Sequence, residues 1–376
     1  MNDGPANIQT QGTLPDISDP DDSRVAAAGE YRATSLRDGA RFTDSPFITV
    51  VVPVRNEERF IQQTLMQLLT QEYDSNRFEV IVADGESTDR TGDIVRKLQA
   101  SFPQLKLVNN PRRWSSSGRN AAIKVGQGDI FLIVDGHCQI DNPRYLHNLS
   151  QAFSDADVDC VGRPQPLDIG DANRVQRAIA AARSCRLGHH PSSFIYSDEE
   201  RFVPPHSVAV AYRKAVFDRV GLFDEAFDAC EDVEFNHRVA AAGFRCWLTP
   251  KASVHYVPRG TLGGLFRQLV RYGRGRMRLL RKDRSTFSLG SSIPALFVAG
   301  IVVGALLAPL HAAFAWTYFS ILGLYAAIVT ALSVILAVRE RNASLIVLGP
   351  LVLLTIHIAS GWGYLREWLS PGGSRT

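Results

Sequence analysis

Cysteine is sparse in this chain. Cys138, Cys160, Cys185, Cys230 and Cys246 make an odd five, and no two stand in a CxxC pair. That spacing argues against a disulfide framework and a thiolate zinc site, and points to buried, inert thiols in a reducing compartment. Net charge is small, +3 over 376 residues, so no global field draws the chain to nucleic acid. No basic start leading into an apolar core marks a signal peptide. From Ile293 to Leu365 the only charged side chains are Arg339, Glu340 and Arg341, which is too few for a solvated surface.

What is present falls into four segments. Residues 1–45 are rich in Asp, Gly, Ser and Pro without an apolar period and read as a disordered tail. Residues 46–265 alternate Val/Ile runs with helical patterns. Strands are predicted at Phe47–Val52, Phe78–Val82, Leu105–Val108 and Ile130–Val134. Helices are predicted at Glu57–Gln71, Thr91–Ala100 and Ser115–Val125. Near-continuous apolar strands between helices imply a parallel sheet covered on both faces.

Residues 266–290 are basic and partly amphipathic. Leu262, Leu265, Phe266, Leu269 and Tyr272 share a face, and Arg274, Arg276, Arg278, Arg281 and Lys282 follow. An interfacial helix touching anionic lipid is expected. Residues 291–368 hold three apolar stretches, Ile293–Leu310, Ala313–Val338 and Leu345–Leu365, each near the roughly 20 residues that span a bilayer. Positive charge collects on one side. The expected topology is therefore three transmembrane helices at the plasma (inner) membrane, a cytoplasmic catalytic domain, and Thr376 on the far face.

Ligands of such sheets sit at the carboxyl ends of the strands, which selects Pro53–Glu57, Asp84–Asp89 and Asp135–His137. Asp84 ends a strand before Gly85 and could accept from a base or ribose hydroxyl; the plainer alternative is an Asp-Gly turn. Asp135-Gly136-His137 offers a carboxylate and an imidazole two residues apart, a pair suited to Mn²⁺, while a carboxylate with waters suits Mg²⁺. Glu231 and Asp232 open a helix, where acids ordinarily serve the macrodipole and capping; the sharper reading makes Asp232 a general base. His189, His190 and His206 show no metal-ligand spacing, and Gly273/Gly275 read as a hinge or helix end.

Taken in order, these pieces resemble a known family. Val52-Pro53-Val54-Arg55-Asn56-Glu57-Glu58, then Ala83-Asp84-Gly85-Glu86-Ser87-Thr88-Asp89, then Gly118-Arg119-Asn120, resemble the nucleotide-binding half of family 2 glycosyltransferases. Asp135-Gly136-His137 resembles their DxD element, with His137 where a second Asp is usual. Cys230-Glu231-Asp232 resembles their ED motif. Gln268-Leu269-Val270-Arg271-Tyr272 resembles the QxxRW motif of membrane-bound members, with Tyr272 in place of Trp. The resemblance spans about residues 46–285 in order and spacing.

It implies a GT-A fold, Rossmann-like and α/β, followed by transmembrane helices. It implies donor binding by Pro53, Arg55, Glu57, Asp84, Asp89, Arg119, Asp135, Gln268, Arg271 and Tyr272, with Asp84 on the uracil of a UDP-sugar. It implies a divalent cation (Mn²⁺ or Mg²⁺) on Asp135 and His137, and catalysis by Asp232 with Glu231. The implied reaction is inverting transfer of a sugar, glucose from UDP-glucose, to a polyprenyl-diphosphate-linked saccharide in exopolysaccharide synthesis, beside membrane lipids and other polysaccharide assembly enzymes. Two other readings stay open: a polyprenyl-phosphate sugar synthase, and a non-catalytic membrane partner of a polysaccharide assembly system.

Overall fold

A computed structural model describes residues 45–185, 187–189 and 193–370. The expected N-terminal tail apart from Ser45, and His190 and Thr376, lie outside the described residues. The elements follow the sequence pattern closely at first. β1 (Ile48–Val54), α1 (Ile61–Leu69), β2 (Phe78–Asp84), α2 (Thr91–Gln99), β3 (Leu105–Asn109), α3 (Ser115–Val125) and β4 (Ile130–Ile133) alternate as the apolar runs require. Then come β5 (Cys138–Gln139), α4 (Tyr145–Ala156), β6 (Cys160–Gly162), α5 (Arg174–Ser184), β7 (Arg201–Val203), α6 (Pro205–Val208), β8 (Ala209–Arg213), α7 (Lys214–Val220), α8 (Glu231–Ala241), β9 (Cys246–Leu248) and β10 (His255–Tyr256). The C-terminal helices are α9 (Leu262–Lys282), α10 (Leu289–Leu307), α11 (Ala312–Arg339) and α12 (Leu345–Leu369).

The main sheet has the order β3-β2-β1-β4-β8-β6-β9-β7. β3, β2, β1 and β4 are parallel, as expected. The expectation of a wholly parallel sheet is corrected beyond β4, because β8 pairs antiparallel with both β4 and β6, and β7 antiparallel with β9. Strand side chains alternate between faces. Val50 and Val52 of β1 join Leu65, Leu68 and Phe153 on one side, while Val51 joins Ala122, Phe131, Phe217 and Phe235 on the other. Four of the five cysteines are buried and all are free, as their spacing suggests.

α9 begins before the expected basic segment and ends eight residues before that segment does. Gly273 and Gly275 are neither hinge nor helix end; they sit mid-helix at close contacts. A Cβ on Gly273 would come within 2.1 Å of the Ser360 carbonyl of α12, and one on Gly275 within 2.6 Å of the Ala229 carbonyl. The cations are not mainly lipid-facing either. Arg274 and Arg278 both pair with Glu367 of α12, at 2.9 and 3.0 Å, and Arg278 also pairs with Asp228. Lys282 reaches Glu234 at 2.8 Å, and Arg281 donates to the Trp368 carbonyl. Sequence spacing gave no sign that their acidic partners are internal.

Glu367 is 2% exposed, so removing its charge takes away the carboxylate that two guanidiniums share where little water is in reach. Breaking such a buried pair costs about 3 kcal/mol or more. Glu367→Gln is expected to lower the melting temperature of the detergent-solubilised protein by several degrees, whereas Glu340→Gln, beside the exposed Arg339, leaves it unchanged. Differential scanning fluorimetry on both variants checks this.

Candidate active site

β1 and β4 are adjacent where the strand order reverses, the place at which open α/β sheets bind ligands. Their carboxyl ends deliver Pro53–Glu57 and Asp135–His137 into one cleft. A Cβ on Gly136 would stand 2.7 Å from Val54 Cγ1, so the two loops meet closely because this residue has no side chain. The β1 loop is latched to the β2 loop. Asn56 N–H donates to Ser87 Oγ at 2.9 Å, Thr88 N–H to Asn56 Oδ1 at 2.8 Å, and Asp89 accepts from Glu58 N–H at 3.1 Å and Thr91 N–H at 3.0 Å. Asp84 Oδ1 accepts from Ser87 Oγ at 2.6 Å. Asp84 and Asp89 thus shape the loops, and neither lines the central cavity.

His137 lines the cleft with its ring held on both sides. Its Nδ1 lies 3.0 Å from Glu57 Oε1 and its Nε2 2.5 Å from the Tyr256 hydroxyl of β10. Burial disfavours the charged ring, but the hydrogen bond to Glu57 and the nearby Asp135 carboxylate outweigh it and raise its pKa above the ordinary value. With both ring nitrogens engaged, His137 presents neither to a metal in this arrangement, a departure from the paired-ligand expectation. Among the described residues no group of three or more His, Cys, Asp or Glu is placed to hold a metal. Of the pair, Asp135 is left as the carboxylate open to a cation, a donor set unlike a protein cage.

The opposite wall is the start of α8. Cys230 adopts φ 62°, a left-handed turn that aims Glu231 and Asp232 inward. Cys230, not an acid, occupies the N-cap, and no side-chain hydrogen bond caps the helix; Asp232 Oδ1 accepts only from the next residue's N–H, at 2.8 Å. Glu231 is buried, which together with the charge of Asp232 raises its pKa despite the nearby Arg119. Arg119, from α3, stands between the walls, with Nη2 3.3 Å from Glu231 and 3.8 Å from Asp135.

α9 closes a third side: Gln268 donates to the Tyr272 hydroxyl at 3.2 Å, and Arg271 to the Asp228 carbonyl at 2.6 Å. The cavity between these walls measures about 1140 Å³. It gathers Pro53, Arg55, Glu57, Arg119, Asp135, His137, Glu231, Asp232, Gln268, Arg271 and Tyr272, eleven of the thirteen residues singled out from sequence.

The cavity also holds residues that spacing did not mark. Tyr256 lies 119 positions from its partner His137. Arg163, from the end of β6, is buried with Nε and Nη1 unpartnered. Arg183, Arg259 and Arg276 line the cavity as well. His206 and His237 stack with centroids 4.8 Å apart; burial, His206 and Arg276 push His237 down to about 4, so it is neutral at pH 7. Ile293 and Pro294 of α10, and Ile356, His357 and Ser360 of α12, complete the wall.

Residues 49–223 match the family described as Glycosyl transferase family 2, and residues 142–334 the one described as Glycosyl transferase family group 2. The succinoglycan biosynthesis protein ExoA of Rhizobium meliloti (strain 1021) is 31% identical over 325 residues, 85% of this chain and 94% of that protein. The chain belongs to glycosyltransferase family 2.

A further relative, from Methanococcus voltae, is a dolichyl N-acetyl-alpha-D-glucosaminyl phosphate 3-beta-D-2,3-diacetamido-2,3-dideoxy-beta-D-glucuronosyltransferase. It is 26% identical over 63% of this chain and 74% of its own length. The mannosyltransferase PcManGT from Pyrobaculum calidifontis, solved in complex with GDP-Man and Mn²⁺, shares the fold. Its TM-score is 0.55 at 20% identity, over 84% of this chain and 87% of that one. The sheet is that of a GT-A fold, and the chain is a glycosyltransferase.

In a family 2 enzyme built this way, the fit of Gly136 against Val54 sets where Asp135 stands. Overpacking a tight contact costs about 1–3 kcal/mol. Gly136→Ala is expected to weaken nucleotide-sugar binding about tenfold, and the added change Val54→Ala to restore most of it, as read by calorimetry. Equal binding by Gly136→Ala and the parent would mean that the contact does not position Asp135.

Proposed function

We propose that this enzyme transfers a sugar from a UDP-sugar, UDP-glucose foremost, to a polyprenyl-diphosphate-linked saccharide at the cytoplasmic face of the plasma membrane, as a step in exopolysaccharide assembly. One observation carries the reading: the cavity that sets Asp232 opposite Asp135 is also walled by α10 and α12. A soluble donor and a lipid-borne acceptor then meet in one chamber. The named role of ExoA in succinoglycan biosynthesis and the dolichyl-linked substrate named for the Methanococcus voltae relative support a lipid-linked acceptor.

The chemistry follows from the placement. The acceptor hydroxyl gives its proton to Asp232 as its oxygen forms a bond to the anomeric carbon, and the bond from that carbon to the nucleoside diphosphate breaks on the opposite face, inverting the configuration. Glu231, held by Arg119, orients the acceptor. Arg119 offsets negative charge near the leaving group, and the Glu57–His137–Tyr256 chain fixes the loop that carries Asp135. A Mn²⁺ or Mg²⁺ ion held by Asp135 and the donor phosphates supplies Lewis-acid stabilisation of the departing diphosphate.

Three further arginines of the same cavity, Arg183, Arg259 and Arg276, suit the acceptor diphosphate. They also favour a second reading, a synthase whose acceptor is a polyprenyl phosphate, already ionised and in need of no base.

Asp232 separates the two. For a hydroxyl acceptor, Asp232→Asn is expected to cut kcat about 10²-fold or more with donor affinity and melting temperature unchanged, and Glu231→Gln to be milder. EDTA should abolish transfer, with Mn²⁺ or Mg²⁺ restoring it in the parent but not in Asp135→Ala. The assay is lipid extraction after incubating membranes with radiolabelled nucleotide-sugars and defined polyprenyl acceptors. Near-parental turnover by Asp232→Asn would remove the base from the mechanism and favour the phosphate acceptor.

A further inference from the structure

Three helical segments, Leu289–Leu310, Ala312–Arg339 and Leu345–Leu369, are long and apolar enough to cross a membrane. The third, α12, is against the catalytic domain at every stage of its length. The turn that leads into it, Glu340–Leu345, lines one cavity with Asn173, Arg177 and Ser253 of that domain, and Leu345 shares a core with Ala178 and Ile179. At its middle, His357 Nε2 lies 3.0 Å from the Leu187 carbonyl, and Ser360 looks into the same cavity as Asp232. At its end Glu367 is buried against Arg274 and Arg278, and Arg278 pairs in turn with Asp228, three residues before Glu231.

The helix beside it, α9, is fixed to the catalytic domain at both ends. Leu265 shares a core with Ala178, Ile179 and Ala182 of α5, and Lys282 reaches Glu234 of α8. A 21-residue helix is about 30 Å long, so α9 lies along the domain surface and does not rise from it. α12 runs beside α9 in the same direction, with Gly363 against Val270, Glu367 against Arg278 and the Trp368 carbonyl against Arg281. The contacts are too close for a loose association. A Cβ on Gly363 would come within 2.1 Å of the Val270 carbonyl, and one on Gly361 within 2.1 Å of the Pro294 carbonyl. A helix that crossed the hydrocarbon core would carry its far end roughly 30 Å from the domain it left, and Glu367 could not then share Arg278 with Asp228.

We infer that α12 does not cross the membrane. It lies along the membrane face of the catalytic domain, and among the described residues the α10–α11 pair is the only part that leaves and returns, so that Ser370 and the catalytic domain share one side. This replaces the expected three spans by an even topology. The partner of α12 is the near leaflet of the bilayer. Its outward side chains are apolar and aromatic, among them Val347, Leu351, Trp362, Trp368 and Leu369, the composition of a helix seated at the boundary between headgroups and acyl chains. Glu367 and Arg366 lie near its end, where water and headgroups are in reach, rather than at the centre of a hydrocarbon slab.

The full chain carrying one epitope tag before Met1 and another after Thr376 tests this in sealed membrane vesicles of either orientation. Both tags are expected to be cut by added protease in inverted vesicles and both to be protected in right-side-out vesicles. Full chains fused after Thr376 to green fluorescent protein or to alkaline phosphatase should give bright fluorescence and no phosphatase activity. Opposite responses of the two tags, or an active phosphatase with a dark fluorescent fusion, overturn the inference and restore an odd number of spans. Because the readout is sidedness, it does not depend on which sugar or acceptor the enzyme uses.

Discussion

A buried guanidinium between two carboxylates holds the site together. Arg119 leaves α3 inside the nucleotide-binding half and meets Asp135 from the end of β4 and Glu231 from the start of α8. Burial opposes its charge, but Glu231 and then Asp135 and Asp232 more than compensate, and its pKa is raised. A cation so placed must have anions near it, since an unpaired buried charge costs several kcal/mol. It therefore ties the β4 wall of the cavity to the α8 wall and fixes the spacing between them. Packing supports the same joint: Asn120, the next residue, donates to the Phe223 carbonyl and accepts from the Phe223 N–H.

The membrane-proximal half follows similar logic. Basic residues that a sequence assigns to lipid are spent on acids brought in from elsewhere in the chain, Glu367, Asp228 and Glu234. Small residues, Gly273, Gly361 and Gly363, let helix backbones touch, a mode of association that suits a layer without a hydrophobic gradient between helices. The result is a wall shared by chemistry and membrane. The helix N-terminus that bears Asp232 leans on α9, α9 leans on α12, and α12 turns apolar side chains outward.

The loops around Asp84 and Asp89 show a division of labour within one motif. Asp89 accepts backbone N–H groups from both loops and Asp84 takes Ser87, so the acids of this stretch build the shape of the loops beside the cleft. Glu57 behaves likewise in holding His137. Acids and imidazoles that read as ligands in a linear motif can be supports for the ligands beside them.

The first 135 residues made the parallel half of the sheet legible, because buried parallel strands are continuous apolar runs and strand-end motifs fall where ligands bind. The ordered set of short motifs made the family legible and marked eleven of the residues that line the cavity. Three features depended on tertiary structure. The antiparallel β8 was one, since its partners are chosen by long-range pairing. The pairing of His137 with Tyr256 was another, across 119 residues. The course of α12 was the third: composition reports only that a helix can dwell in an apolar medium, and whether it crosses or lies flat depends on what its two ends are bound to.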